Sequence, residues 1–506
     1  MVKVKVFMSL VILMVLVLPG STGAGTRPGL ILPDLTQGVK GNVYYDKLSS
    51  LDQEILRYMD RQRNEATGLI ESYHGSSSYY YDDVSQKYYS QHSGLLDQQG
   101  FTYDLALATI IYAINGQSEK ADNILKVLKN NFYVEKNGYI GLLNAYQISE
   151  FDVWGQYNLK MGIDGDRIQV GPNMWVALAS LEYNRINKNG QYLDFAVDIA
   201  RWAYDLPHFK FADGSRGAVS MGSGWGPDWS TVYSTENIID NYAVLNMLEA
   251  IYNNGSEKER TIFAEHKFGL KEIQYEKDCI KKWFLSVAYN KDYQSFNCGY
   301  NEFGVDKTRA LDTVSWAIAA LGPEELVSWG LNPAKMIQFA EDNFQVKQEV
   351  KGTVVEGFDF TDEKGKDPNR QRVIWLEGTG EMILAYQVMA DYYQRQSDPS
   401  RADSYQEKAV KFLGELDKLN KLTGLPDGVL PYTSYQPKDM EVLNTFFYGW
   451  EIPRGDQGRW VSSLSSTLWR IIAMVGFNPL ATEQQTVGLL KNVNNEMAAK
   501  LTGKIN

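Results

Sequence analysis

STENIIDNYAVLNMLEAIY, residues 234–252, decides the fold of this chain. Its first turn carries an acidic side chain, Glu236, and the remainder is small and apolar on nearly every side. A helix of this kind is buried all round, because a helix that borders water keeps a polar face. The same unit recurs as FTYDLALATIIYAI from Phe101, GPNMWVALASLEY from Gly171, ALDTVSWAIAAL from Ala310, WLEGTGEMILAYQVMADYY from Trp375 and, more weakly, WVSSLSSTLWRIIAMVG from Trp460.

The spacing of the polar residues in these units indicates a helical repeat. The five are Asp104, Asn173, Glu236, Asp312 and Glu377, and successive members lie 63 to 76 residues apart. Each step has room for one helical hairpin with a long loop, and a regular step of this kind is typical of repeat architectures. If the array closes into a ring, the polar ends of these helices meet at one rim.

Amphipathic helices alternate with the apolar ones. Their apolar residues recur at i, i+3, i+4 and i+7, with charged residues on the opposite face. They begin near Leu51, Glu119, Tyr192, Lys271, Pro333 and Ser404. Because sequential helices joined by short connections pack antiparallel, the sequence predicts an all-α protein. The expected architecture is an (α/α)6 toroid of six inner and six outer helices with few short strands; an open solenoid is the alternative.

The composition restricts the class of partner. The chain has 50 lysines and arginines against 62 aspartates and glutamates, a net charge of −12, and no basic cluster. A nucleic-acid-binding protein needs such a cluster, and an acidic polysaccharide is disfavoured for the same reason. Aromatic residues reach 13%, and many lie in polar, glycine-rich stretches. Exposed rings of this kind stack on sugars, so the composition favours a neutral glycan as the partner.

The N-terminus has the pattern of a secretory signal. Lys3 and Lys5 precede an apolar run from Val6 to Leu18, and small residues follow up to Ala24. This pattern predicts a signal peptide at residues 1–24 and export to the periplasm or the exterior. The apolar run is shorter than the roughly 20 residues that span a bilayer, so no membrane insertion is expected after cleavage. An uncleaved anchor is the alternative.

The rest of the chain is expected to form one domain. Residues 25–50 are irregular in pattern, and residues 51–506 contain no break in composition that would mark a second domain. A monomer is expected. The two cysteines, Cys279 and Cys298, leave a disulfide and two thiols equally open.

The polar residues that begin the apolar helices have two interpretations. Asp and Asn are common helix caps, and Glu is common in the first turn, so capping alone explains any one of them. Capping does not require aromatic neighbours, however, and Tyr103, Trp175, Trp316 and Trp375 stand beside these positions. The loop before Glu236, residues 222–234, adds Trp225, Asp228 and Trp229 among glycines and serines. A glycine-rich turn held by its two tryptophans is the structural alternative for that loop.

Carboxyl groups in an aromatic groove suit the hydrolysis of glycosides. One acid must be protonated to give a proton to the leaving oxygen, and a second must be ionised to activate water or attack the sugar. Burial beside tryptophan raises a carboxyl pKa, whereas hydrogen bonds and a helix N-terminus lower it. The four histidines have no metal-ligand spacing, and no Gly-x-Ser-x-Gly elbow, phosphate-binding loop or dinucleotide fingerprint is present. Neither a metal nor a cofactor is therefore expected.

The motifs TYDLALA, GPNMWVALA, STENIIDNYA, LDTVSWAI and WLEGTGEM, in this order, resemble those of bacterial (α/α)6-toroid carbohydrate-active enzymes. The resemblance covers Leu51 to Pro479 and is to a secreted family of the glycoside hydrolase type. It implies a general acid in the loop that enters an inner helix, a position that Glu236 matches. It implies a base from across the ring, where Glu377 or Asp104 fits, and an inverting outcome. The same fold also carries lyases and epimerases, so fold alone does not decide function.

The sequence therefore predicts a secreted hydrolase of a neutral glycan, with a glucan as the favoured substrate. Glu236 is the expected acid and Glu377 the expected base. Asp104 and Asp240, one turn below Glu236, are further catalytic candidates. The candidates for substrate binding are Tyr103, Asn173, Trp175, Trp225, Asp228, Trp229, Asp312 and Trp375. A non-catalytic glycan-binding protein of polysaccharide export and a polysaccharide lyase are the alternatives.

Overall fold

The structure of the chain is a computed structural model. It describes residues 50–75, 79–82, 87–90, 98–135, 138–149, 167–188, 190–223, 229–364, 370–436, 452–453, 455 and 459–482. The predicted signal peptide, the predicted irregular segment as far as residue 49, and the candidate residues Trp225 and Asp228 lie outside the described residues. A helix expected from Ala481 lies almost wholly outside them as well.

Six buried helices form the inner layer of a closed ring. They are α2 (Thr102–Ile114), α4 (Val170–Asn187), α6 (Thr235–Asn254), α9 (Asp312–Ala320), α12 (Leu376–Arg395) and α14 (Leu464–Val475). Each inner helix contacts the next along the chain, and α14 contacts α2. This last contact closes the ring and removes the alternative of an open solenoid.

Outer helices connect and cover the inner ones. They are α1 (Ser50–Arg61), α3 (Ser118–Phe132), α5 (Leu193–Asp205), α8 (Leu270–Trp283), α11 (Pro333–Phe344) and α13 (Pro399–Thr423). Two short helices, α7 (Glu257–Glu265) and α10 (Gly322–Ser328), supplement them at the connections. The predicted (α/α)6 toroid of six inner and six outer helices is therefore confirmed. Helix α13 begins five residues before its expected start at Ser404, because Asp398 accepts a hydrogen bond from the Arg401 N–H and Pro399 occupies the first turn.

The inner helices are apolar all round because they face neighbours on every side. Every residue of α9 is buried, and in α2 only Tyr103 is partly exposed. The rings of Trp175, Trp316 and Trp469 meet inside the ring of helices, with Trp175 5.4 Å from Trp316 and 5.9 Å from Trp469 between ring centres. Tryptophans therefore fill the centre of the toroid as core residues.

The strands are short and lie in the connections between helices. They are β1 (Tyr73–His74), β2 (Tyr79–Asp82), β3 (Lys87–Ser90), β4 (Gln99–Phe101), β5 (Ala145–Gln147), β6 (His208–Lys210), β7 (Arg216–Val219), β8 (Tyr233–Ser234), β9 (Tyr289–Asn290), β10 (Ser295–Phe296), β11 (Gly299–Asn301), β12 (Gly304–Asp306), β13 (Gln345–Val350), β14 (Thr353–Phe358) and β15 (Ser462–Ser463). Every strand pair is antiparallel. Strand β1 pairs with β15 from the other end of the chain. This pair joins the first and last segments of the ring.

Two further observations concern the chain as a whole. None of the helices in the described ranges combines the length and apolar character needed to cross a membrane. Both cysteines are among the described residues, and no disulfide joins Cys279 to Cys298.

Candidate functional site

The inner helices all begin at the same end of the toroid, which we call the rim. Asp104, Glu236, Asp312 and Glu377 lie in the first turns of α2, α6, α9 and α12. The N-cap positions of these helices are held by other residues, and on α6 the Ser234 side chain provides the cap by accepting a hydrogen bond from the Asn237 N–H. The capping interpretation therefore does not account for Glu236.

Glu377 lies at the centre of this group. Burial raises its pKa to about 7, against a smaller lowering by hydrogen bonds from the hydroxyls of Ser465 and Tyr103. The Tyr103 hydroxyl in turn accepts a hydrogen bond of 2.5 Å from the Trp469 indole N–H. Three inner helices, α2, α12 and α14, thus fix the position of this one carboxyl group.

The rim position by itself would favour ionised carboxyls. A helix N-terminus stabilises a negative charge by about 0.3–1 kcal/mol. Raising a glutamate pKa from 4.5 to about 7 corresponds to about 3 kcal/mol in the opposite direction. Loss of hydration on burial therefore outweighs the helix dipole, and Glu377 keeps its proton to a higher pH than an exposed glutamate does.

Glu236 differs from its neighbours in its exposure. It is partly open to solvent, whereas Asp104, Asp312 and Glu377 are at most 7% exposed. Its pKa is nevertheless raised well above the usual value, first by burial of the surrounding site and then by the charges of Asp312 and Glu377. Glu236 therefore combines a protonated carboxyl with access from outside.

Asp312 lies on the helix between those of Glu236 and Glu377. Its pKa is raised to about 7. Burial is the largest cause and the charge of Glu377 adds to it, whereas hydrogen bonds from backbone N–H groups at the start of α9 act in the opposite direction. Asp104 is buried on α2, and burial raises its pKa well above the usual value. A hydrogen bond from the Ser72 hydroxyl lowers that pKa by a smaller amount. The charge of Glu377 thus contributes to the raised pKa of both carboxyls.

A second layer of carboxyls lies one turn below the first. Asp240 follows Glu236 by four residues, and Glu381 follows Glu377 by the same interval, so each pair shares one helix face. Asp240 is fully buried, and its two carboxyl oxygens have no hydrogen bond of regular geometry with the described residues. The Trp175 indole lies close enough to lower its pKa, but burial and the charge of Glu236 raise that pKa well above the usual value.

Glu381 was not predicted as a site residue. It is 1% exposed and accepts a hydrogen bond of 2.8 Å from the Ser315 hydroxyl, which ties α12 to α9. Burial, then the charges of Glu377 and Asp312, raise its pKa well above the usual value. The signal was present in the sequence, because E-x-x-x-D on α6 and E-x-x-x-E on α12 are the same pattern.

Tyr432 and the two serines, Ser72 and Ser465, were also missed. Tyr432 lies in the connection after α13, and burial followed by the charges of Glu377, Asp104 and Glu236 raises the pKa of its hydroxyl. The influence of these three acids indicates that the Tyr432 hydroxyl lies among the rim carboxyls. The local sequence of these three residues does not indicate a site, because each reaches its carboxyl from another segment of the chain.

The remaining predicted residues fall into two groups. Tyr103 and Trp229 are partly exposed, and the Trp229 indole N–H makes no hydrogen bond to the described residues. Trp175 is 1% exposed within the central aromatic core, and Trp375 is 6% exposed and packs on Phe360 with 5.4 Å between ring centres. Contact of these two rings with a ligand stays a prediction.

Asn173 has a structural environment. It is fully buried, and its side-chain amide hydrogen-bonds to the backbone N–H of Leu142 at 2.8 Å and to the carbonyls of Leu142 and Gln169. These bonds occupy the amide in holding a connection against the start of α4. Asn173 on α4 therefore supports the backbone, whereas Glu236 on α6 and Glu377 on α12 belong to the carboxyl cluster.

The cluster of carboxyls at the rim contains no counter-cation in the part of the chain that the structure describes. None of the six acids, Asp104, Glu236, Asp240, Asp312, Glu377 and Glu381, takes part in an ion pair with a described lysine, arginine or histidine. Within the same ranges, no group of three or more His, Cys, Asp or Glu side chains is arranged to hold a metal ion. The arrangement can donate and accept protons at several nearby positions.

Solved structures provide the comparison. The chain is similar to a family 76 glycoside hydrolase from a bovine Bacteroides thetaiotaomicron strain, at 12% identity, over 85% of this chain and 78% of that chain, with a TM-score of 0.51. It is similar to a wild-type protein named only as a glycosidase, at 11% identity, over 86% and 100% of the two chains, with a TM-score of 0.50. A cellobiose 2-epimerase from Bacillus thermoamylovorans B4167 aligns at 12% identity over 85% and 99%, with a TM-score of 0.43.

No protein-family model matches the sequence, and no curated protein sequence is similar to it. At identities this low, the likeness to solved structures establishes the toroid fold and leaves the activity to be argued from the site.

Proposed function

We propose that this protein is an exported glycoside hydrolase that cleaves a neutral glycan by paired carboxyl groups. Glu236 would be the general acid and Glu377 the general base. One observation carries the proposal: at the rim, a partly exposed carboxyl with a raised pKa lies near a second carboxyl whose pKa is about 7. Hydrolysis of a glycosidic bond requires one protonated and one ionised carboxyl in the same groove.

The assignment of roles follows from the two environments. Burial and the charges of Asp312 and Glu377 raise the pKa of Glu236, which favours its protonated form, and its access to solvent lets a leaving oxygen approach. Glu377 has the Ser465 and Tyr103 hydroxyls as donors, which favour its ionised form as far as burial allows. A base with a pKa near the working pH is the most effective one. The inverting outcome stays a prediction, because it depends on the separation of the two carboxyls at the moment of attack.

The charge of the site supports a neutral substrate. The six carboxyls have no cation beside them among the described residues, so the site offers no group that would pair with the carboxylate of a uronic acid. A lyase would also need a tyrosine or histidine base, and burial beside Glu377 raises the pKa of the Tyr103 hydroxyl, which disfavours its phenolate form. The choice of a glucan rests on the sequence resemblance alone.

The test uses the full chain, expressed in a bacterium and recovered from the exported fraction, where we expect a mature N-terminus at Gly25. It is incubated with neutral glucans and mannans and with a uronic-acid polysaccharide, and new reducing ends and ultraviolet-absorbing ends are measured. Glu236→Gln and Glu377→Gln are run beside Glu324→Gln, which alters an ion-paired glutamate far from the rim.

We expect reducing ends from a neutral glycan, a loss of about 10²-fold or more in both rim variants, and full activity in Glu324→Gln. Ultraviolet-absorbing products would replace the proposal with a lyase. A glycan that raises the melting temperature without being cut would replace it with a binding protein.

A further inference from the structure

The strand β8 leads directly into α6 and belongs to a three-stranded sheet. Its Tyr233 pairs with Tyr300 of β11, and Tyr300 pairs with Val305 of β12. Residues directly opposite each other in antiparallel strands carry their side chains on the same face. One face of this sheet therefore presents a row of Tyr233, Tyr300 and Val305.

The row is apolar and partly open to solvent. Both tyrosines are half-buried, and Val305 is 37% exposed. Phe209 of β6 packs at one end of the row, with its ring centre 5.4 Å from that of Tyr233 and 5.0 Å from that of Tyr300. Together the three rings and Val305 form a surface that we call the aromatic platform.

The platform is built as a continuation of the Glu236 site. Tyr233 precedes Glu236 by three residues, which is about 11 Å of extended chain. Gly299 lets β11 approach β8 closely, because any side chain at this position would collide with the carbonyl oxygen of Tyr233. The Thr235 N–H and hydroxyl then bind the carbonyls of Cys298 and Asn297 at 2.9 and 2.7 Å. The segment that leads directly into β11 therefore holds the first turn of α6 in place.

We infer that the aromatic platform is a sugar-binding subsite, which receives a further unit of a neutral glycan chain next to the bond cleaved at Glu236. The inference rests on the proposed function and adds that the substrate is a chain longer than two units. Apolar rings bind a pyranose through its C–H face without charge, which fits a site that has no cation among the described residues. The short chain separation between Tyr233 and Glu236 favours an occupant that belongs to the same glycan chain as the sugar at Glu236.

The experiment separates chain length from chemistry. Binding is measured by calorimetry in the full chain carrying Glu236→Gln, with maltohexaose, cellohexaose and mannohexaose and the corresponding disaccharides. Tyr300→Ala removes the central ring, and Tyr300→Leu keeps an apolar contact with Phe209 in case the alanine variant unfolds. Tyr252→Ala is the matched control, because Tyr252 is a half-buried ring that packs on Phe263 near the last turn of α6, far from the rim.

We expect the ratio of hexaose to disaccharide affinity to fall about fivefold in both Tyr300 variants and to stay unchanged in Tyr252→Ala. An unchanged ratio in the Tyr300 variants, or no binding by any of the three series, would overturn the inference. Hydrolysis of the disaccharides by the parent protein is measured separately. If the platform binds hexaose and no sugar is cut, the subsite stands and the proposed hydrolase falls.

Discussion

At the rim, where the inner helices begin, six carboxyl groups lie together without a described cation, whereas at the far end, where they finish, acids are paired with bases. Glu182 and Arg185, in the last turns of α4, are both nearly inaccessible, and the Arg185 Nε donates to Glu182 at 2.7 Å. Asp240 is as deeply buried as Glu182 and has no such partner. Buried acidic side chains therefore lack a described basic partner at the rim and have one at the far end of the same inner helices.

The far end also has a cavity, and two of the acids that line it are paired with basic side chains. A cavity of about 470 Å³ lies there, bordered by Glu249, Lys277, Glu324 and Glu325 among others. Lys277 pairs with Glu249 at 2.5 Å, and Arg395 pairs with Glu324 at 2.7 Å. Acids that are neutralised in pairs contribute to structure, whereas acids kept together without cations reduce stability and are explained by chemistry at that site. The four predictions below test this contrast.

The largest effect is expected from breaking the buried pair at the far end. Arg185→Met removes the buried arginine that donates to Glu182 and should lower the free energy of unfolding by about 3–5 kcal/mol, since removing one partner of a buried ion pair is strongly destabilising. Urea denaturation measures the change. The double variant Glu182→Leu/Arg185→Met should recover most of the loss, and a double variant as unstable as the single one would contradict the assignment.

At the rim, the pH dependence of stability should have the opposite sign to ordinary acid denaturation. The pKa of Glu377 is about 7 in the folded protein against 4.5 in the open chain, so the folded state binds its proton more tightly. Its contribution is complete below about pH 4.5 and is lost as the pH rises through about 7. Glu377→Gln should remove this loss, and should gain up to about 3 kcal/mol relative to the parent between about pH 5 and pH 8.5.

Denaturation curves at the two pH values provide that measurement, with Glu324→Gln as the control whose difference from the parent should not change sign. A parent protein whose stability rises steadily across this interval, and a Glu377→Gln variant that follows it, would mean that the carboxyl is ionised throughout.

A smaller effect should separate the two carboxyl layers. Asp240→Asn keeps the shape of a protonated aspartate, and because Asp240 is fully buried it does not reach a substrate. We expect kcat/KM to fall by less than about tenfold, against about 10²-fold or more for Glu236→Gln. If the two variants lose activity equally, Asp240 is itself a proton donor and the upper layer does not act alone.

The smallest effect belongs to the paired acid Glu249. Burial alone would raise its pKa, but hydrogen bonds from Lys277 and Gln274 outweigh burial and lower it. Its contribution is therefore present at neutral pH and lost as the pH falls, which is the reverse of Glu377. Glu249→Gln should destabilise by no more than about 1 kcal/mol at pH 7, with a difference from the parent that shrinks towards about pH 3. A difference that grows on acidification would contradict the pairing.

The sequence was sufficient for the layers of the fold and for the upper carboxyls. Glu236 and Glu377 were predicted because aromatic residues accompany the recurring first-turn acids, and because the resemblance implies an acid at the entry to an inner helix and a base across the ring. Trp175 could not be placed in the same way, because a helix that is apolar on all sides does not indicate which face points to the centre.

Other features depended on distant parts of the chain. Asn173 has the sequence pattern of the rim acids, and only the position of Leu142 determines that its amide is used by the backbone. Ser465, in the first turn of α14, and Tyr432, in the connection after α13, approach Glu377 from later parts of the chain. Glu381 is the exception, since its pattern was local and was passed over.

The pairing of Tyr73–His74 with Ser462–Ser463 has a consequence for how the protein reaches its native state. Almost four hundred residues separate the two strands, and the adjoining Leu464 N–H binds the carbonyl of Ser72 at 2.8 Å. Contacts between such distant segments form slowly, because a long loop must close first. The Tyr103 hydroxyl of α2 reaches Glu377 of α12 and the Trp469 indole of α14 only when the two ends of the ring meet. Catalytic competence should consequently appear late in refolding, after helical circular dichroism has recovered.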